Sequence, residues 1–332
     1  MLAMTAVRRM EPSYDPADGS ASMREALRAL RASGVSAAGT AAPLEVAQRG
    51  DEPPRVEGAT PIEGTFVAVR KVDGAPVAGV AAFLDGIQRS RVLAHAGVVP
   101  LVHGAVAAAV RVRHDRRLRT WESPIVDQAL YVPVAALEPE FAAALSSRCR
   151  VRDTEVEPLS HPQQFTARAL TAVQRARERA ETSLAEAWVA RGDGPLLVDG
   201  GISGAGTAAR HPMAIGVVKS HRTLYAASDA LGTVLGLREG ERTTAVEISS
   251  PRRVPVATWY LRLRESGERA PLFGLVRVEV ARDSSVDITE RADLVSRWLL
   301  AERAPVALPD MRWDVMVYGI RECEQYLTAI LT

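Results

Sequence analysis

Val80-Ala81-Ala82-Phe83-Leu84-Asp85-Gly86 and, well down the chain, Leu196-Leu197-Val198-Asp199-Gly200-Gly201 are two apolar runs that end alike. A short apolar run closed by turn residues reads as a strand buried on both faces. An aspartate at the end of such a strand sits at the rim of a sheet, where α/β proteins gather their sites. Asp-Gly is also the favoured hairpin turn, so at this point each pair stands as either a turn or a placed carboxylate.

The chain around these runs has two parts. Residues 1–60 are rich in Ala, Gly, Pro and Ser and read as an arm or linker with one short helix, Ser22–Arg31. Residues 61–332 read as a single domain. Strands are expected at Phe66–Val69, Val77–Leu84, Arg91–Ala94, Val98–Arg113 and Ala129–Val134, followed by a short helix at Pro139–Ser147. A long helix is expected over Thr166–Ala190, then strands at Pro195–Val198 and Ala214–Lys219, and a helix at Ser228–Leu235. Strands at Thr244–Ile248, Thr258–Arg264 and Leu272–Val280, and helices at Ile288–Glu302 and Val315–Leu331, complete the pattern. A meander of strands, then alternating strands and helices, gives an α/β class with a mixed sheet flanked by helices.

The totals narrow the function classes. At 332 residues with 47% hydrophobic content, the chain can bury a substantial core, and its net charge of +1 provides no overall pull towards a polyanion. No apolar run is long enough to span a bilayer, and the N-terminus lacks the apolar stretch of a secretory signal, so a cytoplasmic protein with no membrane partner is expected. Cys149 and Cys323 alone make neither a disulfide framework nor a zinc site. There is no Walker-type phosphate loop and no Ser/His/Asp arrangement.

Acids recur at positions that face inward. On the long helix, Leu170, Val173, Leu184 and Trp188 share one stripe, Glu181 falls on it, and Glu178 lies towards its edge. A carboxylate on a core-facing stripe needs a cation. Arg177, one turn away, is one candidate and a metal ion is the other. On the last helix Glu324 projects beside the stripe of Met316, Ile320, Cys323, Leu327 and Ile330, while Glu322 points the other way. Carboxylates gathered in one place repel unless a divalent cation neutralises them. Oxygen ligands of this kind suit Mg²⁺ or Mn²⁺, which activate water and stabilise charge on a phosphate. Glu122 is a reserve ligand.

Other features have plainer readings. The basic segment Arg111–Arg119 reads as two strand ends and a charged hairpin tip, with a phosphate-backbone guide as the alternative. The Gly200–Gly206 turn reads as a flexible loop beside the site. Lys71 and Lys219 are the only lysines among many arginines, which singles out Lys219 at the end of the Ala214–Lys219 strand.

Taken in order, these residues resemble the NurA nuclease family, whose domain is RNase H-like and related to PIWI modules. The resemblance rests on Phe83-Leu84-Asp85-Gly86, the helix with Arg177 and Glu181, and Leu197-Val198-Asp199-Gly200. It continues through Gly216-Val217-Val218-Lys219, Arg277-Val278-Glu279 and the helix ending Tyr326-Leu327-Thr328-Ala329-Ile330. It implies an RNase H-like mixed β-sheet flanked by helices, and a DNA nuclease with Mn²⁺ or Mg²⁺ held by Asp85, Glu181 and Asp199. Lys219 would lie beside the phosphate, and Glu324 would stand where the family often has a His. The resemblance further implies a homodimer working with a HerA-type hexameric ATPase in DNA-end processing or antiphage defence. A catalytically inactive nucleic-acid-binding or scaffold protein on the same fold is the competing class. An unrelated α/β enzyme, with Asp85 and Asp199 far apart in turns, is the third.

Overall fold

The computed structural model describes residue 28, Ser36–Ala37 and residues 53–114, 117–155, 161–251, 253–303 and 317–331. The expected helix at Ser22–Arg31 and most of the expected arm lie outside the described residues. The strands are β1 (Ser36–Ala37), β2 (Arg55–Glu57), β3 (Thr60–Pro61), β4 (Val69–Lys71), β5 (Ala82–Ala96), β6 (Val99–His114) and β7 (Arg117–Val132). After them come β8 (Val151–Asp153), β9 (Leu196–Asp199), β10 (Ala214–Val218), β11 (Thr223–Tyr225), β12 (Glu241–Thr243), β13 (Val246–Ile248), β14 (Val256–Arg262) and β15 (Leu275–Ala281). The helices are α1 (Pro139–Ser146), α2 (Pro162–Arg191), α3 (Asp229–Leu235), α4 (Ile288–Glu302) and α5 (Tyr318–Ile330). The protein is of the α/β class, with a large mixed sheet flanked by these five helices.

The described chain divides into two compact units. One takes Arg89–Ala105 and Val126–Val173, together with Ser36–Ala37. Its core is Leu93, Val99, Leu101, Leu130, Val132, Leu145 and Phe165. Here the far halves of β5 and β6 turn at Gly97, whose φ of 58° suits a glycine, and β8 runs parallel to β7 from Leu130↔Val151.

The other unit takes residues 53–88, Val106–Ile125 and 174–331 among those described, and it carries the acids. Its strands lie in the order β7-β6-β5-β9-β10-β15-β14-β13-β3. β5, β9 and β10 are mutually parallel, and β15 and β14 continue antiparallel. Alternation explains why the central strands are apolar throughout. Ala82, Leu84, Leu196 and Val198 pack on one face with Ala180, Leu184 and Trp188 of α2. Phe83, Leu197, Ile215 and Val217 pack on the other with Val295 and Leu299 of α4 and with Ile320 and Cys323 of α5. α4 begins at a capped end, the Asp287 carboxylate accepting the Thr289 N–H at 2.7 Å.

Two expectations change and one holds. Val77–Leu84 and Arg91–Ala94 are not two strands: β5 runs unbroken from Ala82 to Ala96, so Asp85-Gly86 lies within a strand. The Ala129–Val134 strand is only the end of the sixteen-residue β7, whose earlier half is polar because much of it is half-exposed. The basic segment Arg111–Arg119 does comprise two strand ends, β6 finishing at His114 and β7 starting at Arg117.

Candidate metal centre

Asp85 and Asp199 come together through strand register. β5 and β9 pair in parallel as Phe83↔Leu197 and Leu84↔Val198, so the next step along both strands sets Asp85 beside Asp199. These are therefore not two remote turns. The expectation of a turn at Asp85-Gly86 gives way to another reason for the glycine. Glu181 of α2 reaches the strand at that point, where a β-carbon on residue 86 would collide with Glu181 Oε1 and lie 2.8 Å from its Cγ. Gly86 is what lets a carboxylate from the helix lie against the sheet.

The three acids act on one another. Asp85 is 6% exposed, and burial lifts its carboxyl well above the usual carboxylate range. The Asp199 and Glu181 charges add to that lift, while Lys219 and the Gly86 N–H oppose it. Glu181 is pushed up to about 7, chiefly by burial and also by Asp199, against the pull of Arg177. Such mutual perturbation at a sheet rim marks a candidate functional site.

Two side-chain cations answer this charge. Arg177 forms an ion pair with Glu181 one turn away on α2, and its Nε donates to Gln88 Oε1 at 3.1 Å. Lys219, directly after β10, places Nζ 2.8 Å from Asp199 Oδ1 and 2.9 Å from Oδ2. Of the two cations open for Glu181, the structure therefore shows Arg177 in contact. No three His, Cys, Asp or Glu side chains among the described residues are disposed to grip one metal ion.

The remaining candidates have other described partners or none with these acids, although the Glu178 charge adds to the lift on Glu181. Glu178 accepts from Gln174 Nε2 at 2.8 Å. Glu324 is half-buried on α5, and its neighbour Cys323 donates to the Phe83 carbonyl two residues before Asp85. Glu322 pairs with Arg111 at 2.6 Å. Glu122, the reserve ligand, is 53% exposed in its side chain and pairs with Arg191. Met316, expected on the α5 stripe, lies outside the described residues.

The loop after Asp199, expected to be flexible, is tied by hydrogen bonds to two acids. Glu279 of β15 accepts the Ile202 N–H at 2.8 Å and the Ser203 N–H at 3.3 Å. Glu186 of α2 accepts the Thr207 N–H at 2.9 Å and its hydroxyl at 3.0 Å. Sequence reading noted Arg277-Val278-Glu279 only as part of a resemblance, and missed this role. The signal available was an acid, with Arg277 two residues before it, inside an otherwise apolar strand.

No protein-family model matches the chain, and no curated protein matches it.

Proposed function

We propose that this protein is a metal-dependent nuclease that hydrolyses DNA phosphodiester bonds with Mg²⁺ or Mn²⁺. The observation that carries this reading is the in-register placement of Asp85 beside Asp199, with Glu181 brought against Gly86 from the facing helix. The three carboxylates, from two strands and a helix, are hard-oxygen donors of the kind divalent cations take, and they would have to close further on one another to hold an ion together. Their mutual repulsion, seen in the lifted Asp85 and Glu181, is the cost that a doubly charged ion removes. Two of the three are balanced here by Arg177 and Lys219, both on long flexible stems. Loading an ion requires at least one of those cations to release its carboxylate. Lys219, once released, is a free ammonium beside the acids and suits a phosphate oxygen. When bound, the metal supplies a more acidic water and stabilises charge on the phosphoryl group. The parallel trio β5, β9 and β10 beside the β5–β7 meander is in keeping with the RNase H-like domain that the resemblance implies.

The same resemblance supports a homodimer and a HerA-type hexameric ATPase as partner. Co-purification with such an ATPase supports that pairing, and a stable lone monomer counts against it.

A second reading is a nucleic-acid-binding or scaffold protein without catalysis. The two ion pairs favour it, since they neutralise Glu181 and Asp199 without any metal. One experiment separates the two. DNA cleavage is assayed with Mn²⁺, with EDTA, and with Asp85→Asn in parallel. Metal-dependent cleavage that vanishes in the variant supports the nuclease. Full activity of the variant removes the assignment, and absence of both cleavage and Mn²⁺ binding in the wild type leaves the scaffold.

A further inference from the structure

The chain leaving Asp199 does not continue outward from the sheet. Gly200 has a φ of 109°, a left-handed conformation that favours glycine, and its N–H bonds the Val217 carbonyl at 2.9 Å. The segment then crosses over β10 at Gly216, where a β-carbon would lie 2.7 Å from the Gly200 carbonyl oxygen and 3.0 Å from the Ile202 nitrogen. Beyond Gly216 it meets the next strand, β15, in which Glu279 pairs in register with Gly216. Glu279 is 1% exposed, an isolated acid in a strand that is otherwise apolar apart from Arg277. One of its oxygens accepts both the Ile202 and Ser203 N–H groups, and the other accepts from Arg277 Nη1 at 2.6 Å. A β-carbon on Gly201 would lie 2.7 Å from Glu279 Oε2, so the backbone approach is as close as glycine permits. Arg277 in turn lies over the Tyr225 ring at 5.0 Å.

We infer that Glu279, braced by Arg277, is a positioning residue that fixes the direction of the chain at Asp199 and so the place of its carboxylate beside Asp85. This rests on the reading of Asp199 as part of the nuclease site. A buried carboxylate that turns two backbone donors inward is not required by packing, because an apolar residue would fill the same space. It is required if the segment after Asp199 must lie across β10 with its N–H groups satisfied. The glycines at 201 and 216 clear the two crossings, and Glu279 closes them.

The test uses the full chain in three forms: wild type, Glu279→Gln and Gly201→Ala. Glu279→Gln keeps shape but loses the charge that two N–H groups and an arginine share. Gly201→Ala presses on the same contact from the other side and leaves Glu279 intact, which guards against a misfolded first variant. Amide hydrogen exchange at Ile202 and Ser203 is measured first and should quicken about tenfold or more in both variants. Unchanged exchange overturns the clamp. The Asp199 side-chain carboxyl carbon, followed by NMR without metal, should shift or broaden in both variants, and an unmoved resonance overturns the positioning role. In cleavage assays, kcat should fall about tenfold to a hundredfold with KM little changed, and the Mn²⁺ concentration for half-maximal rate should rise. Faster exchange with unaltered kcat and Mn²⁺ dependence also overturns the positioning role. A wild type with no cleavage under any metal sinks the nuclease reading alone, because the exchange and carboxyl signals still decide for or against Glu279.

Discussion

Asp85 is a buried acid that folding does not favour: burial and two neighbouring carboxylates all oppose its charge. On the proposed nuclease reading, replacing it with Asn is expected to abolish cleavage, while the melting temperature stays equal to or above that of wild type because a repelling charge is removed without loss of volume. Cleavage assays and thermal melts on the same preparation check both halves. A different titration is expected in the other unit. His103 on β6 is held down to about 4 by burial and by Arg91, against a hydrogen bond with Gln128. Its unfolded value is 6.5, so the unfolded chain takes up the proton first as pH falls. The contribution to stability is present above pH 6.5 and is lost as pH falls towards 4. Urea unfolding at pH 7 and pH 4.5 should show wild type losing about 2 to 3 kcal/mol more than His103→Gln between the two conditions. An equal loss in both proteins would rule out His103 as the source.

Elements meet here at glycines, and each meeting is a testable contact. α5 packs on β5 where Gly319 faces Phe83, and a β-carbon at 319 would collide with that ring. Gly319→Ala is expected to destabilise by about 1 to 3 kcal/mol, because a packed core resists an added methyl group. Chemical denaturation measures it, and an unchanged midpoint would show that α5 is free to shift. Gly86 has the same standing against α2, with Glu181 in place of the aromatic ring. These meetings also show where sequence reading stops at this scale. The α2 stripe of Leu170, Val173, Leu184 and Trp188 is buried as its periodicity requires, and α4 spans Ile288–Glu302 as expected. Periodicity is local, so it survives in any fold. The continuity of β5 past Asp85 is not local. β9 pairs with β5 only up to Leu84, β6 is the neighbour on the other side, and Asp-Gly reads as a turn until the sheet is present.

For the whole molecule, the expected consequence of the proposed metal site is a link between stability and divalent cations. A ligand that binds only the folded state at a hundred times its Kd stabilises by about 2.7 kcal/mol. Mn²⁺ should therefore raise the melting temperature of wild type by several degrees and leave Asp85→Asn and Asp199→Asn unmoved. A shift of equal size in all three would place the ion elsewhere. The modest net charge of +1 fits this design, because the acids are offset by arginines throughout the chain. Among the described residues no helix is long and apolar enough to cross a membrane.

By itself the sequence determined the class of fold, the buried strands, the helical faces, and which acids end or interrupt apolar runs. Those follow from hydrophobic period and residue type, which act between near neighbours. Tertiary structure alone decided that Asp85 and Asp199 stand side by side, that Glu181 lies against Gly86, and that Arg177 pairs with Glu181 and Lys219 with Asp199. It also decided that Glu279 grips the segment after Asp199. The reason is one of distance along the chain: strand register and helix docking join residues that are remote in sequence, and no local pattern encodes which of two equivalent carboxylates will find a partner.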